Sequence, residues 1–177
     1  MLGSIKNFRF YSKLLFSVFI IISITFSFKL YGYEQSDANE ILIGQITAEQ
    51  LTSNFKAFDN TERKTHLSEK SITSLTEIKG TYSIKAFLGT WCHDSEREIP
   101  ILLDIINTAK NPNLQLSLIA LNEDKEDPKG LAKQYQIKYT PTIVIEANGI
   151  EIGRIVERPE NSLEDDILSI INSSNGE

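Results

Sequence analysis

The 177-residue sequence contains only one cysteine and two histidines. Cysteine forms disulfides, and cysteine and histidine are the usual zinc ligands. The lone cysteine, Cys92, excludes an internal disulfide, although cysteines in oxidising compartments normally come in pairs. It is therefore either a reactive thiol or a relic without a redox role. His66 lies in a polar stretch with no cysteine or second histidine nearby. We predict no metal site and no cofactor.

Acidic residues are absent before Glu34, and three basic residues precede an uncharged apolar run at residues 14–28. An uncharged apolar stretch of 15 residues suits the core of an export signal, whereas a membrane-spanning helix needs roughly 20. Gly32 is the best small residue for cleavage. If the run instead extends through Leu30 and Tyr33, the segment is a retained anchor. Both alternatives place the folded part in the cell envelope, either periplasmic or anchored in the inner membrane facing outward.

Positive charge is scarce after this segment. From Tyr33 onward, 14 Lys and Arg stand against 24 Asp and Glu, a formal charge of −10. Such a surface is a poor partner for nucleic acid. The length allows one domain with a proper core. We predict a signal or anchor at 1–32, a tether with an added helix at 33–71, and one globular domain at 72–177.

Hydrophobic periodicity predicts an α/β fold. Thr47 caps a helix that carries Leu51 and Phe58, and a second stripe of apolar residues is ended by Gly80. The elements then expected are a strand at 82–88, a helix after Cys92, a strand at 114–121, a helix at 129–136, a hairpin of 142–147 and 150–156 around Asn148-Gly149, and a helix opened by Asn161 or Ser162. This order predicts a mixed central sheet with parallel strands and an antiparallel hairpin edge, flanked by helices.

The segment Thr90-Trp91-Cys92-His93-Asp94-Ser95 lies where the first of these strands meets a helix. The thiolate is the reactive form of cysteine, and the unpaired N–H groups at a helix start favour it. Cys92 is therefore the predicted nucleophile. Ser95, one turn on, can donate its hydroxyl to the thiolate but cannot attack a disulfide.

Thr140-Pro141-Thr142 is the second candidate site. A proline directly before a strand suits an edge, because it cannot donate to the ladder. If the Thr140-Pro141 bond is cis, the turn leaves backbone groups of Thr140 free for an extended peptide beside Cys92.

Together, Trp91-Cys92-x-x-Ser95, Pro100 eight residues after the cysteine, Thr140-Pro141-Thr142 and the Asn148-Gly149 hairpin resemble the thioredoxin superfamily. The resemblance covers about residues 72–171. It implies a thioredoxin-like fold with Cys92 as the amino-terminal active-site cysteine. It also implies that Trp91 lies beside Cys92 and that Pro141 is the cis proline facing it.

Two departures from the family pattern affect the same step. Ser95 stands where the family has its resolving cysteine, and Ala86 stands where thioredoxins carry a buried acid that helps proton transfer. Attack by Cys92 is expected, but rapid self-release from the mixed disulfide is not.

The first hypothesis is a monothiol disulfide oxidoreductase that acts on cysteine-containing proteins or glutathione-like thiols and is released by an external thiol. The alternative is a non-catalytic, chaperone-like module that binds partners in the groove between Trp91 and Pro141. A peroxide-reducing enzyme ranks last, because no threonine or proline stands at the corresponding spacing before Cys92.

Overall fold

The computed structural model describes residues 41–60 and 65–176, which contain one five-stranded sheet. The strands are β1 (Gly44–Ile46), β2 (Tyr82–Leu88), β3 (Leu114–Ala120), β4 (Thr142–Ala147) and β5 (Ile150–Val156). Their spatial order is β1-β3-β2-β4-β5, with β2 and β3 parallel and every other pair antiparallel. The predicted mixed sheet with a hairpin edge is confirmed.

Among the described residues, five helices pack around the sheet. They are α1 (Ala48–Asn54, followed by a 3₁₀ turn at Lys56–Phe58), α2 (Glu69–Glu77), α3 (His93–Ala109), α4 (Leu131–Gln134) and α5 (Leu163–Asn175). Thr47 caps α1 as predicted, in a reciprocal capping box with Gln50. Ser162 caps α5 through a bond from the Asp165 N–H, which confirms one of the two predicted openers.

The hairpin turn between β4 and β5 lies at the predicted Asn148-Gly149. Both residues have positive φ, 53° and 76°. This is the conformation that two-residue turns require, because it matches the twist of the flanking strands. The turn fixes the register of β4, the strand that directly follows Pro141.

Four elements differ from the sequence-based expectation. The helix capped by Thr47 ends at Asn54, so Phe58 lies in the 3₁₀ turn and not in the helix. β1 was not predicted, since three residues show no alternation; pairing with β3, Gly44 opposite Ala120, defines it. Gly80 does not end α2, which stops at Glu77. The side-chain amide of Asn111 satisfies the carbonyls of Leu75 and Ile78 there, at 2.8 and 2.9 Å. The helix expected at 129–136 is the shorter α4.

The two faces of β2 belong to different cores. Ile84, Ala86 and Leu88 face the larger core, which also contains Leu102 of α3 and Ile167 of α5. Phe87 points to the opposite face and joins a smaller core, whose other buried members are Ile119, Leu121, Ala132, Ile137 and Val144. Both faces are thus packed where β2 runs into the turn before α3, so the sheet holds that turn from two sides.

The predicted signal or anchor at 1–32, including the apolar run at 14–28, lies outside the described residues, and the domain limits stay a prediction. Within 41–60 and 65–176, no helix combines the length and apolar character needed to cross a membrane. The same residues contain no group of three His, Cys, Asp or Glu side chains placed to hold a metal ion.

Candidate functional site

Cys92 is the cap residue at the start of α3. Its backbone is extended, at φ −101° and ψ 118°, and its carbonyl accepts the first helical bond from Glu96 at 3.0 Å. The Cys92 N–H donates back to Gly89 at 3.1 Å, which closes the turn between β2 and α3. The side chain is half-buried. Its sulfur therefore lies at the positive end of a 17-residue helix.

The turn at Thr140-Pro141 faces the cysteine. The Cys92 thiol donates a hydrogen bond to the Thr140 carbonyl, with 3.1 Å between sulfur and oxygen. The peptide bond between Thr140 and Pro141 is cis, and both residues are buried. The Thr142 hydroxyl donates to the Tyr139 carbonyl at 2.8 Å. The Glu157 N–H, directly after β5, donates to the Pro141 carbonyl, also at 2.8 Å. These two bonds connect the turn to β4 and to the end of β5. Residues 48 positions apart in the chain thus form one site.

Ser95 lies fully buried one turn after Cys92. Its hydroxyl oxygen accepts a hydrogen bond from the Gly89 N–H at 3.2 Å. The oxygen is therefore already used to fix the turn that presents Cys92. The hydroxyl hydrogen remains the only part of Ser95 that can serve a thiolate, so a role for Ser95 as a donor stays a prediction.

Trp91 is held on three sides. Its indole N–H donates to the Leu121 carbonyl at 3.1 Å, and the Lys125 ammonium lies 5.1 Å from the ring centroid. A side-chain carbon built on Gly89 would come within 2.6 Å of the ring, so the indole packs directly on that glycine. Because Lys125 contributes a cation–π contact, part of the ring surface predicted to bind substrate is covered by the protein itself.

Gly89→Ala tests this packing. The added methyl must displace the indole, so we expect the emission of Trp91, the only tryptophan, to shift to longer wavelength. Overpacking of this kind costs about 1–3 kcal/mol of unfolding free energy. The control is Lys125→Met, which keeps the chain over the ring and removes the charge; it should leave the emission nearly unshifted. Unchanged emission in Gly89→Ala would show that the indole is not held as described.

The charged side chains around the start of α3 are paired with one another. The His93 side chain is 95% exposed, and a hydrogen bond to Glu96 raises its pKa. Asp94, whose negative charge would disfavour a thiolate nearby, is paired with Arg97 at 2.6 Å and Arg158 at 3.4 Å. The Arg97 hydrogen bond is the main reason that the pKa of Asp94 is lowered. These arginines offset the negative charge of Asp94.

Glu98 and Lys125 are neighbours of the site that the sequence interpretation did not select. The Glu98 carboxylate is buried, accepts a 2.6 Å bond from the Arg97 guanidinium, and lines a small cavity with Pro141. The sequence did carry a signal, because Glu98 falls on the same helical stripe as the buried Leu102 and Ile105. No pattern in the sequence pointed to Lys125, because only the folded loop brings its ammonium to the Trp91 ring.

Ala86, at the position where the resemblance implies a buried acid, is part of the core. Ala86 is fully buried and lies in the sheet between Leu118 of β3 and Ile143 of β4. Its side chain is a single methyl group within the apolar core. It supplies no group that can accept or deliver a proton.

These features match a known family. The family model described as thioredoxin matches residues 45–167, from β1 into α5. The chain belongs to the thioredoxin family. Among curated proteins, a thiol-disulfide oxidoreductase ResA of Bacillus cereus is 29% identical over 170 residues, covering 94% of this chain and 90% of that protein. A ResA of Bacillus thuringiensis is 30% identical over 115 residues, and the match covers 64% of this chain and 65% of the ResA protein.

Solved structures agree on the fold. A Pseudomonas aeruginosa protein of unknown function superimposes on this thioredoxin-family chain with a TM-score of 0.50 at 18% identity. The match covers 74% of this chain and 87% of the Pseudomonas chain. The match supports the thioredoxin-like architecture alone. Cys92 and the Thr140-Pro141 turn occupy the part of this architecture where β2 meets α3 and where β4 begins.

Proposed function

We propose that this thioredoxin-family protein is exported and carries out thiol-disulfide exchange through Cys92 as its single active-site thiol. The observation that carries the proposal is the placement of Cys92 at the cap of α3, with its sulfur 3.1 Å from the Thr140 carbonyl. The similarity to thiol-disulfide oxidoreductases of the ResA type supports the same chemistry. Partners are cysteine-containing proteins or glutathione-like thiols.

The proposed reaction begins when Cys92 loses its proton to solvent. The thiolate attacks one sulfur of a partner disulfide, forming a bond between Cys92 and that sulfur while the second partner sulfur leaves as a thiolate. Trp91, Thr140 and Pro141 would position the partner beside Cys92. The product is a mixed disulfide, and no atom of the chain's other residues is oxidised.

Release then requires a thiol from outside the chain. Ser95 has no sulfur to attack the mixed disulfide, and Ala86 provides no proton relay. An external thiolate attacks the partner sulfur, and Cys92 leaves as the thiolate it was at the start. The chain is therefore a monothiol oxidoreductase whose turnover depends on its co-substrate.

The test is to incubate the purified chain with oxidised glutathione and measure the intact mass. We expect one glutathione per chain, removed when reduced glutathione is added in excess, and no adduct on Cys92→Ser. Cys92→Ser keeps the size and hydrogen-bonding capacity of the side chain and removes only the sulfur. If wild type forms no adduct, the exchange function is wrong. A partner protein that still binds Cys92→Ser would then favour the non-catalytic groove between Trp91 and Pro141.

A further inference from the structure

The loop between β3 and α4 turns its cation inward and its carboxylates outward. Lys125 is half-buried. The acidic residues beside it in the loop are exposed: Glu123, Asp124 and Glu126. Within the described residues, the contacts of the Lys125 ammonium are the Glu123 carbonyl at 2.9 Å and the Trp91 ring, whose centroid is 5.1 Å away. Attraction between opposite charges would favour a pair with one of the carboxylates, so the contact with Trp91 needs another explanation.

The backbone of this loop fixes the position of the lysine. Lys125 has φ 63°, in the left-handed region that residues with a side chain rarely adopt. Its N–H donates to the Asn122 carbonyl at 3.0 Å, and the Asn122 side chain accepts from the Glu126 N–H at 2.8 Å. Glycine or asparagine would adopt the same backbone at lower cost. The lysine is therefore explained by what its side chain contacts and not by the turn.

The Lys125 ammonium lies on the residue next to the proposed nucleophile. Trp91 directly precedes Cys92, and the bond from its indole N–H to the Leu121 carbonyl holds the ring in place. An ammonium has three N–H donors, and the Glu123 carbonyl uses one of them. The other donors can bind an anion that a partner brings to Cys92. Hydrogen bonds between charged groups are stronger than neutral ones, so a carboxylate is the acceptor that suits this position.

We propose that Lys125 makes Cys92 selective for disulfides that carry a carboxylate one residue away from the reacting cysteine. The carboxylate binds the ammonium while the sulfurs exchange, and it is itself unchanged by the reaction. The glycine carboxylate of glutathione and an acidic side chain in a protein segment share this chemistry. Arg97 and Arg158 are less available for it, because both already pair with Asp94. This inference rests on the proposed exchange function and names its substrate class.

The experiment uses the full-length chain and 2-pyridyl disulfides of short acetylated peptides. Attack by Cys92 on the peptide sulfur releases pyridine-2-thione, whose absorbance gives the second-order rate constant. The first pair of compounds is acetyl-Cys-Gly with a free carboxylate and with an amide at its end, and it represents glutathione. The second pair is acetyl-Cys-Asp-amide and acetyl-Cys-Asn-amide, and it represents a protein segment. Each rate constant is divided by that of the same compound with 2-mercaptoethanol, which removes intrinsic differences in reactivity.

For the wild-type chain, we expect the acidic member of at least one pair to react about fivefold faster than its neutral partner, the effect of one partly exposed charge pair. Added salt should reduce this preference, because salt screens charges. A preference in the first pair assigns glutathione-like thiols, and one in the second pair assigns acidic protein segments. Equal normalised rates within both pairs, or faster reaction of the neutral members, would overturn the selection while leaving the exchange function intact. No release from any compound would overturn the exchange function itself.

Three variants identify the residue responsible. Lys125→Met should lower the ratio of acidic to neutral rate constants to about one or below, because the acidic surface of the chain then repels anions. Lys125→Arg keeps the charge and should keep the preference. Lys110→Met is the matched control and should also keep it: Lys110 has a positive φ, 48°, and ends α3 about 25 Å from Cys92. A preference in Lys125→Met equal to that of wild type would contradict the assignment to Lys125.

Discussion

Ser95→Cys is expected to release bound glutathione without an added thiol, at least about a hundredfold faster than the wild-type chain. Residues three apart are neighbours on a helix, so a thiol at position 95 lies beside the mixed disulfide on Cys92. An intramolecular attack of this kind gains effective concentrations on the order of 10⁵ M or more when well oriented. The chain would end with a disulfide between residues 92 and 95.

The measurement starts from the glutathione adduct, freed of excess thiol, and follows free glutathione with time. Ser95→Ala is the matched control, because it also loses the 3.2 Å bond from Gly89 but brings no sulfur. The adduct on wild type and on Ser95→Ala should persist. If Ser95→Cys holds its adduct as long as they do, the position does not correspond to the family's resolving cysteine.

Glu146→Gln is expected to lower the free energy of unfolding by about 2 kcal/mol. The carboxylate is buried and accepts bonds from Lys85 and from the Tyr135 hydroxyl, the latter at 2.6 Å. Removing its charge leaves Lys85 without its partner. Removing one partner of a fully buried ion pair lowers the free energy of unfolding by about 3–5 kcal/mol. The Lys85 side chain, however, is 22% exposed. Partial hydration therefore reduces the expected cost.

Chemical denaturation of Glu146→Gln and wild type gives the difference directly. Glu151→Gln is the matched control, because its pair with Arg154 lies about one third exposed on the same hairpin. Exposed pairs contribute about 0–1 kcal/mol. The double variant Lys85→Met, Glu146→Leu should recover much of the loss, since no buried charge remains unpaired. A loss in Glu146→Gln no larger than in Glu151→Gln would contradict the account.

The same network sets the pH dependence of stability. Burial acts to raise the pKa of Glu146, but the hydrogen bonds from Lys85 and Tyr135 outweigh it and hold the pKa below 4.5. Burial acts to lower the pKa of Lys85, but Glu146 holds it above 10.5. The contribution of Glu146 is thus complete above pH 4.5 and lost as pH falls through its folded value. That of Lys85 is complete below pH 10.5 and lost as pH rises. Wild type should lose more stability than Glu146→Gln at both extremes.

The sequence predicted most of the local structure correctly because the signals were local. Thr47 and Ser162 cap helices through their own side chains, and Asn148-Gly149 turns a hairpin through its backbone preference. The prediction at Gly80 was wrong because a distant residue, Asn111, ends α2 instead. β1 was missed for the same reason, since only its pairing with β3 defines it.

For the proposed site, the sequence alone determined which reactive groups are available. One cysteine at a strand-to-helix junction, a serine where a second thiol would stand and an alanine in place of an acid fix which bonds can form and which cannot. These are statements about atom types, and folding cannot add a missing sulfur. The tertiary structure decided what surrounds Cys92. It brought the Thr140 carbonyl to the thiol, Lys125 to the Trp91 ring and Arg158 to Asp94. Contacts between residues 30 to 70 positions apart depend on strand order and loop path, which no local pattern encodes.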